Sequence, residues 1–279
     1  MRSSGTDEVI YQVEATGVAW LTLNRPDAGN SLTREQRSHI LDLLEEAGSD
    51  LGVRAIVLTA SGERHFCTGG DLRVAAATEE PPKPPSAPGR PIGTVMRGLE
   101  SGLGAQRLLV AIQDCPKPII AAVNGTAAGL GAHVAFACDL IIAADTARFI
   151  EIFVRRGLIP DGGGPYLVTR LVGPQKAKEL FFFGDDVSAE EAQRIGLINR
   201  VVPAGELQER AREWAERLAA GPTVAIALTK RLVNSALESG REAAFKAEAL
   251  ALEVGMQTVD ANEGVQAFVE RRSTEFVGW

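Results

Sequence analysis

Two glycine-rich turns hold the residues best placed for chemistry, Cys67-Thr68-Gly69-Gly70 and Gly129-Leu130-Gly131. Each follows an apolar run. A glycine turn that opens a helix leaves backbone N–H groups unpaired and aimed outward, which favours a developing negative charge. Side by side, the two turns could each give one N–H to a single carbonyl oxygen and so form an oxyanion hole. Dinucleotide binding fits poorly, because Gly125, Gly129 and Gly131 are not spaced G-x-G-x-x-G and no acidic residue ends a following strand at the right distance. Glycines that only permit tight packing fit the spacing as well.

Acid–base work near such turns falls to a few side chains. His39, His65 and His133 make no metal-ligand spacing, and no G-x-S-x-G elbow is present. Asp161 is the first candidate base, since it sits in a glycine-rich turn at a helix start, where it could equally serve as a cap. His133 lies on the first turn of the helix after Gly131, pointing either toward the proposed hole or into the core. Glu151 reads equally well as a surface ion-pair partner.

These residues need a frame, and the hydrophobic pattern supplies one. Val9 to Glu14 and Val18 to Leu23 read as paired strands around a turn at Thr16-Gly17. Thr33 can cap a helix running to about Ala47, and Ala55 to Thr59 is a buried strand leading into the first glycine turn. An amphipathic helix from about Met96 to Ile112 leads to the central strand, Ile119 to Val123. The second glycine turn, an apolar helix to Cys138 and a strand from Leu140 to Ala144 follow. Strand and helix alternate as in parallel α/β folds. A helix beginning at the Asp161 turn should end at Gly173-Pro174, and Ser188 should start another after a helix from Gln175 to about Phe183. Leu197 to Val202 is the last strand.

Residues 1–202 therefore form an α/β core, and residues 203–279 a helical region of three helices, Leu207 to Ala220, Thr223 to Leu237 and Glu242 to Val259. A strandless tail of this kind is a candidate oligomerisation element. Residues 74–94 carry so much proline that a mobile surface loop is expected, either a linker or a lid.

The 279 residues suffice for one large domain with ample core, and 45% apolar with 23% charged residues is a globular composition. No run reaches the roughly 18 apolar residues of a membrane span. A net charge of −7 argues against a nucleic-acid partner. Three scattered cysteines and a start without an apolar export segment suggest the cytoplasm.

The pairing of H-F-C-T-G-G-D-L (His65 to Leu72) with N-G-T-A-A-G-L-G-A-H-V-A-F-A-C-D (Asn124 to Asp139) resembles the crotonase, or enoyl-CoA hydratase/isomerase, superfamily. The likeness runs from N-R-P at Asn24 to Pro26 through E-G-V-Q-A-F-V-E-R-R at Glu263 to Arg272. It implies a spiral of ββα repeats with a C-terminal helical trimerisation region, assembled as a homotrimer or a dimer of trimers. It implies an acyl-CoA thioester substrate, with coenzyme A as part of that substrate and no separate cofactor or metal. By position, the oxyanion-hole N–H groups would be those of Thr68 and Leu130. Phe66, Gly69, Asp71, Gly129, Phe153 and Arg25 would line the substrate, and Arg25, Arg73, Arg271 and Arg272 are the candidates for its phosphates.

At the two catalytic glutamates of the hydratases this sequence has His133 and Phe153. Phenylalanine can neither activate water nor protonate carbon. A nearer likeness is to the 1,2-epoxyphenylacetyl-CoA isomerases, through F-I-x-x-F-x-x-x-G-L-I-P-D-x-G-G at Phe149 to Gly164. That group and the dienoyl-CoA isomerases place an aspartate where Asp161 stands. The resemblance thus implies an acyl-CoA isomerase with Asp161 as acid/base and His133 sharing the proton or orienting the substrate. A hydratase or thioester hydrolase using His133 and Asp161 is the alternative, and a noncatalytic acyl-CoA-binding homologue is another.

Overall fold

The computed structural model describes residues 2–71 and 104–279. The proline-rich segment at 74–94 and Arg73 lie outside the described residues, as does the start of the helix expected from Met96. Along the chain run β1 (Arg2–Thr6), β2 (Val9–Val13), β3 (Val18–Leu23), α1 (Arg34–Ser49), β4 (Ala55–Ala60) and β5 (His65–Cys67). Then come α2 (Gln106–Asp114), β6 (Ile119–Val123), β7 (Thr126–Ala128), α3 (Leu130–Ala137), β8 (Leu140–Ala144) and β9 (Arg148–Ile150). The chain ends with α4 (Gly164–Phe183), β10 (Asp186–Ser188), α5 (Ala189–Arg194), β11 (Arg200–Val202), α6 (Leu207–Ala219), α7 (Thr223–Ala236), α8 (Arg241–Gly255) and α9 (Val259–Glu270).

Two sheets form a staircase. The larger has the order β1-β2-β3-β4-β6-β8-β11, and the smaller has β10-β9-β7-β5. The hairpin strands β1, β2 and β3 pair antiparallel, and from β3 onward the larger sheet is parallel. Each step of the spiral puts one strand in each sheet, β4 with β5, β6 with β7, and β8 with β9. β4 and β6 are buried along their whole length, as expected of parallel strands covered on both faces. The strands of the smaller sheet have three residues each, too short to show a period, and this is why the sequence pattern did not reveal them. Because β5 pairs with β7, the turns that follow them are neighbours.

Local signals fixed several boundaries. Thr33 caps α1 in a reciprocal capping box with Gln36, an arrangement that contributes about 1 kcal/mol. Ser188 caps α5 by accepting from the Glu191 N–H. The helix from the Asp161 turn does break where expected, with Gly173 at φ 78° and ψ 165° ahead of Pro174. The helix expected from Glu242 to Val259 ends at Gly255, and a further helix, α9, begins at Val259, where Thr258 caps it by accepting from the Ala261 N–H.

The first helix of the C-terminal region belongs to the core. Leu207, Ala211, Ala215 and Ala219 of α6 are buried at a spacing of four, where small side chains let the helix lie close on the parallel sheet. A core ending at 202 therefore leaves out one of its own layers.

Polar clamps tie the rest down. Arg54 donates to Thr223 Oγ1, to Phe276 O and to Gly221 O. Asp260 accepts from the Val277 and Gly278 N–H groups at 2.7 and 2.8 Å. Lys230 Nζ lies 2.7 Å from Asp139 Oδ2 and also donates to Ile112 O and Lys117 O, while Asp139 accepts from the Ile119 N–H that begins β6. Lys230→Ala would leave Asp139 half-enclosed without its cation. A loss of about 3 kcal/mol is expected, at the low end for a broken buried pair. A urea midpoint unchanged from wild type at equal protein concentration would contradict this.

Among the described residues no helix is long and apolar enough to cross a membrane. Cys67, Cys115 and Cys138 are buried and unpaired, and burial pushes the Cys67 thiol up to about 12.

Candidate active site

The staircase brings the two glycine turns into contact. A Cβ on Gly131 would fall 2.1 Å from Cys67 O, so the helix start can rest on the first turn only without a side chain there. A Cβ on Gly69 would lie 3.1 Å from Ala128 O and 3.5 Å from Leu130 N. The adjacency that the sequence could only pose as a condition is a consequence of β5 pairing with β7.

The N–H groups sort into engaged and free. Thr68 N–H donates to Gly29 O at 3.0 Å, so it is not available to a ligand as the resemblance implied. At Gly69 the backbone turns through a positive φ of 102°. Leu32 N–H donates to Gly69 O and Asp71 N–H to Leu32 O, so this pair of bonds brackets Gly70. Gly70 is exposed, and its N–H has no hydrogen-bond partner among the described residues. Leu130, the first residue of α3, likewise has no backbone acceptor there, as expected of a helix N-terminus. Gly70 and Leu130 thus each carry an N–H without a partner among the described residues, one on each turn. No local signal set Gly70 apart from Thr68, because the choice rests on the Gly29 and Leu32 contacts.

Several residues expected along the substrate serve the turn instead. Phe66 is fully buried in the core. Gly69 accepts from Leu32 N–H through its carbonyl. Arg25 is fully occupied: it faces Asp71 at 3.4 Å and Glu8 at 3.5 Å, and donates to Ser31 O and Gln36 Oε1. Asn30 is buried and donates from its amide to Ser61 O and His65 O. The N-R-P segment and Asp71 thus brace the first turn rather than meet a ligand. Arg272 is also occupied, by Glu263 and Glu270.

The second turn is walled by aromatics. A Cβ on Gly129 would sit 3.4 Å from Phe153 Cζ, and the Phe153 ring stacks on His133 with centroids 5.4 Å apart. His133 has no exposed surface, and its Nε2 lies 2.9 Å from Glu151 Oε2. Glu151 is a buried partner and not a surface one. Its signal in the sequence was a lone carboxylate between apolar neighbours in F-I-E-I-F.

Asp161 is half-buried in the turn before α4. It does not cap that helix, because Gly163 is the cap position and no side chain bonds there. The adjacent Gly162 lies against the Leu130 side chain, which a Cβ would approach to 2.6 Å. From the other side comes Arg37 of α1: burial holds its guanidinium below the ordinary value, Arg34 lowers it further, and the charge of Asp161 partly offsets both. The set comprises a carboxylate that makes no capping bond and precedes a glycine packed on Leu130, two N–H groups without partners among the described residues, and the Phe153 ring against Gly129. Such a set can polarise a carbonyl oxygen and move a proton on the carbon chain attached to it.

Residues 13–278 match the enoyl-CoA hydratase/isomerase family. A Rhodobacter capsulatus protein named "Probable enoyl-CoA hydratase" is 41% identical, with 96% of this chain and 97% of that one covered. The 1,2-epoxyphenylacetyl-CoA isomerase of Escherichia coli is 35% identical, with 97% and 99% covered. The crystal structure of an enoyl-CoA hydratase from Bacillus anthracis superposes with a TM-score of 0.86 at 29% identity, covering 98% of this chain and all of that one.

Proposed function

The chain belongs to the enoyl-CoA hydratase/isomerase family, and from that premise we propose that it is an acyl-CoA isomerase. The observation that carries this reading is the pairing of two unengaged N–H groups, Gly70 and Leu130, with one uncapped carboxylate, Asp161. The thioester oxygen accepts from both N–H groups. Asp161 removes a proton from the acyl chain, the electrons move toward the oxygen as an enolate, and the proton returns at another carbon. Each donor aimed at the oxyanion contributes about 3 kcal/mol of barrier lowering. Phe153 supports the isomerase form, because it places an apolar ring where adding water would call for a second acid or base.

A second reading, a hydratase in which His133 joins Asp161, draws support from the names of the relatives. Turnover of enoyl-CoA thioesters in oxygen-18 water separates the two. An isomerase yields shifted double bonds without label, and a hydratase yields labelled hydroxyacyl products. Tight acyl-CoA binding with neither product would favour a noncatalytic binding homologue.

We also infer a homotrimer, or a dimer of trimers, built through the C-terminal helices. α8 has no buried residue, and Phe245, Leu250, Leu252, Val265, Phe268 and Val269 of α8 and α9 are exposed. An apolar face of this extent asks for a partner, and copies of the same chain supply one in a closed symmetry. A monomer mass in solution at micromolar concentration would contradict this.

The loop after α9 has its own pH signature. Arg272, with help from the Glu275 N–H, holds the partly buried Glu263 carboxyl down at about 2. A lowered carboxyl pKa adds stability that is present above the ordinary value of 4.5 and is lost as pH falls through about 2. A carbon-13 titration of Glu263 should have its midpoint near 2. A midpoint near 4.5 would show that the pair does not form.

A further inference from the structure

His133 forms a buried pair with Glu151, a carboxylate to which the isomerase reading gives no role. The imidazole is held on every side. Nε2 meets Glu151 Oε2 at 2.9 Å, Phe153 stacks on one face at an interplanar angle of 15°, and Phe181 packs edge-on with centroids 6.4 Å apart. Gly164 leans so closely on the ring that a Cβ there would fall 2.0 Å from Nε2. The ring therefore cannot turn to present a different nitrogen.

One buried nitrogen is left over. His133 Nδ1 has no hydrogen-bond partner, and the same holds for Glu151 Oε1. A Cβ on Gly162 would be 3.7 Å from Nδ1 and 2.6 Å from the Leu130 side chain, so Nδ1 faces the Asp161-Gly162 turn beside the proposed oxyanion hole. A carboxylate can only accept, so the nitrogen facing it carries hydrogen. The other nitrogen then holds a lone pair or a second hydrogen. Burying an unpaired N–H is the less tolerated choice, since buried donors without a partner are rarer than under-used acceptors.

We propose that Glu151 is a positioning residue. It fixes His133 as the Nε2–H tautomer and so presents Nδ1 to the Asp161 turn as the site's second proton acceptor. This rests on the reading of Asp161 as the base. Once Asp161 has taken a proton from the acyl chain, that proton can pass to Nδ1. The carboxyl O–H bond breaks, the Nδ1–H bond forms, Asp161 becomes a carboxylate again, and Glu151 meets the imidazolium charge. The reverse transfer reloads Asp161 for delivery to the second carbon. No oxidant or further reactant is needed.

The test combines nitrogen-15 NMR of histidine-labelled protein with steady-state kinetics. His133→Asn identifies the His133 signals against those of His39 and His65. In the wild type, Nε2 should be protonated and Nδ1 bare. In Glu151→Gln the side-chain amide can donate to Nε2, so the tautomer should invert while the packing volume is kept. The kcat should then fall about 100-fold with KM within about threefold, in line with loss of one acid–base group. A bare Nε2 in the wild type overturns the proposal, as does an unchanged kcat in Glu151→Gln. If that variant does not fold, the wild-type tautomer alone decides. Asp161→Asn should leave the His133 signals in the same tautomer. Full turnover in Asp161→Asn would therefore sink the base assignment, a failure distinguishable from that of the Glu151 role.

Discussion

Asp161→Asn should lower turnover of acyl-CoA thioesters by about 10²- to 10⁴-fold, the range expected when a positioned acid–base group is removed. The amide has the same shape and cannot take the proton. The side chain makes no capping bond to α4, so its exchange should leave the fold intact. Acyl-CoA affinity should stay within a few-fold, because the Gly70 and Leu130 donors are untouched. This combination separates a chemical role from a structural one. A variant with full turnover, measured with saturating thioester, would remove Asp161 from the mechanism.

Gly131→Ala should be nearly as damaging, through geometry rather than proton transfer. The new methyl would meet Cys67 O at 2.1 Å and Cys67 C at 2.6 Å, and both are backbone atoms that no rotamer change can move aside. Overpacking of this kind costs about 3 kcal/mol or more. Relief must come from spreading the two turns, which pulls the Leu130 donor away from Gly70. Misplacing one oxyanion donor lowers kcat by about 10²- to 10³-fold. Thermal unfolding and kcat measured together check both effects. Wild-type values for both would show that the turns are not packed as described.

Much of this architecture was legible in the residues. Apolar runs gave β2, β3, β4, β6 and β8, and Thr33, Ser188 and Gly173 marked helix ends through their own side-chain or backbone chemistry. The three-residue strands of the second sheet gave no period, and they are what put the two glycine turns side by side. The choice between Thr68 and Gly70 was hidden for the same reason. It depends on the N–H that Gly29 takes and on the Leu32 pairing, both contacts across more than thirty residues of chain. Arg25 looked like a phosphate ligand because a lone arginine beside a proline gives no sign of partners. Its partners, Glu8, Ser31 with Gln36 at the start of α1, and Asp71, come from three separate stretches of chain. His133 could be placed on the right turn of the helix, but not paired with Glu151, since β8 and β9 intervene between them.

The most direct test of the oxyanion-hole account is hydrogen exchange from acyl-CoA thioesters in heavy water, followed by mass spectrometry across a panel of chain types. The account predicts that the protein catalyses deuterium incorporation next to the thioester, or at the carbon conjugated with it, on at least one member, with no net addition of water. Water addition as the sole outcome, with no exchange that precedes it, would contradict an enolate held between Gly70 and Leu130.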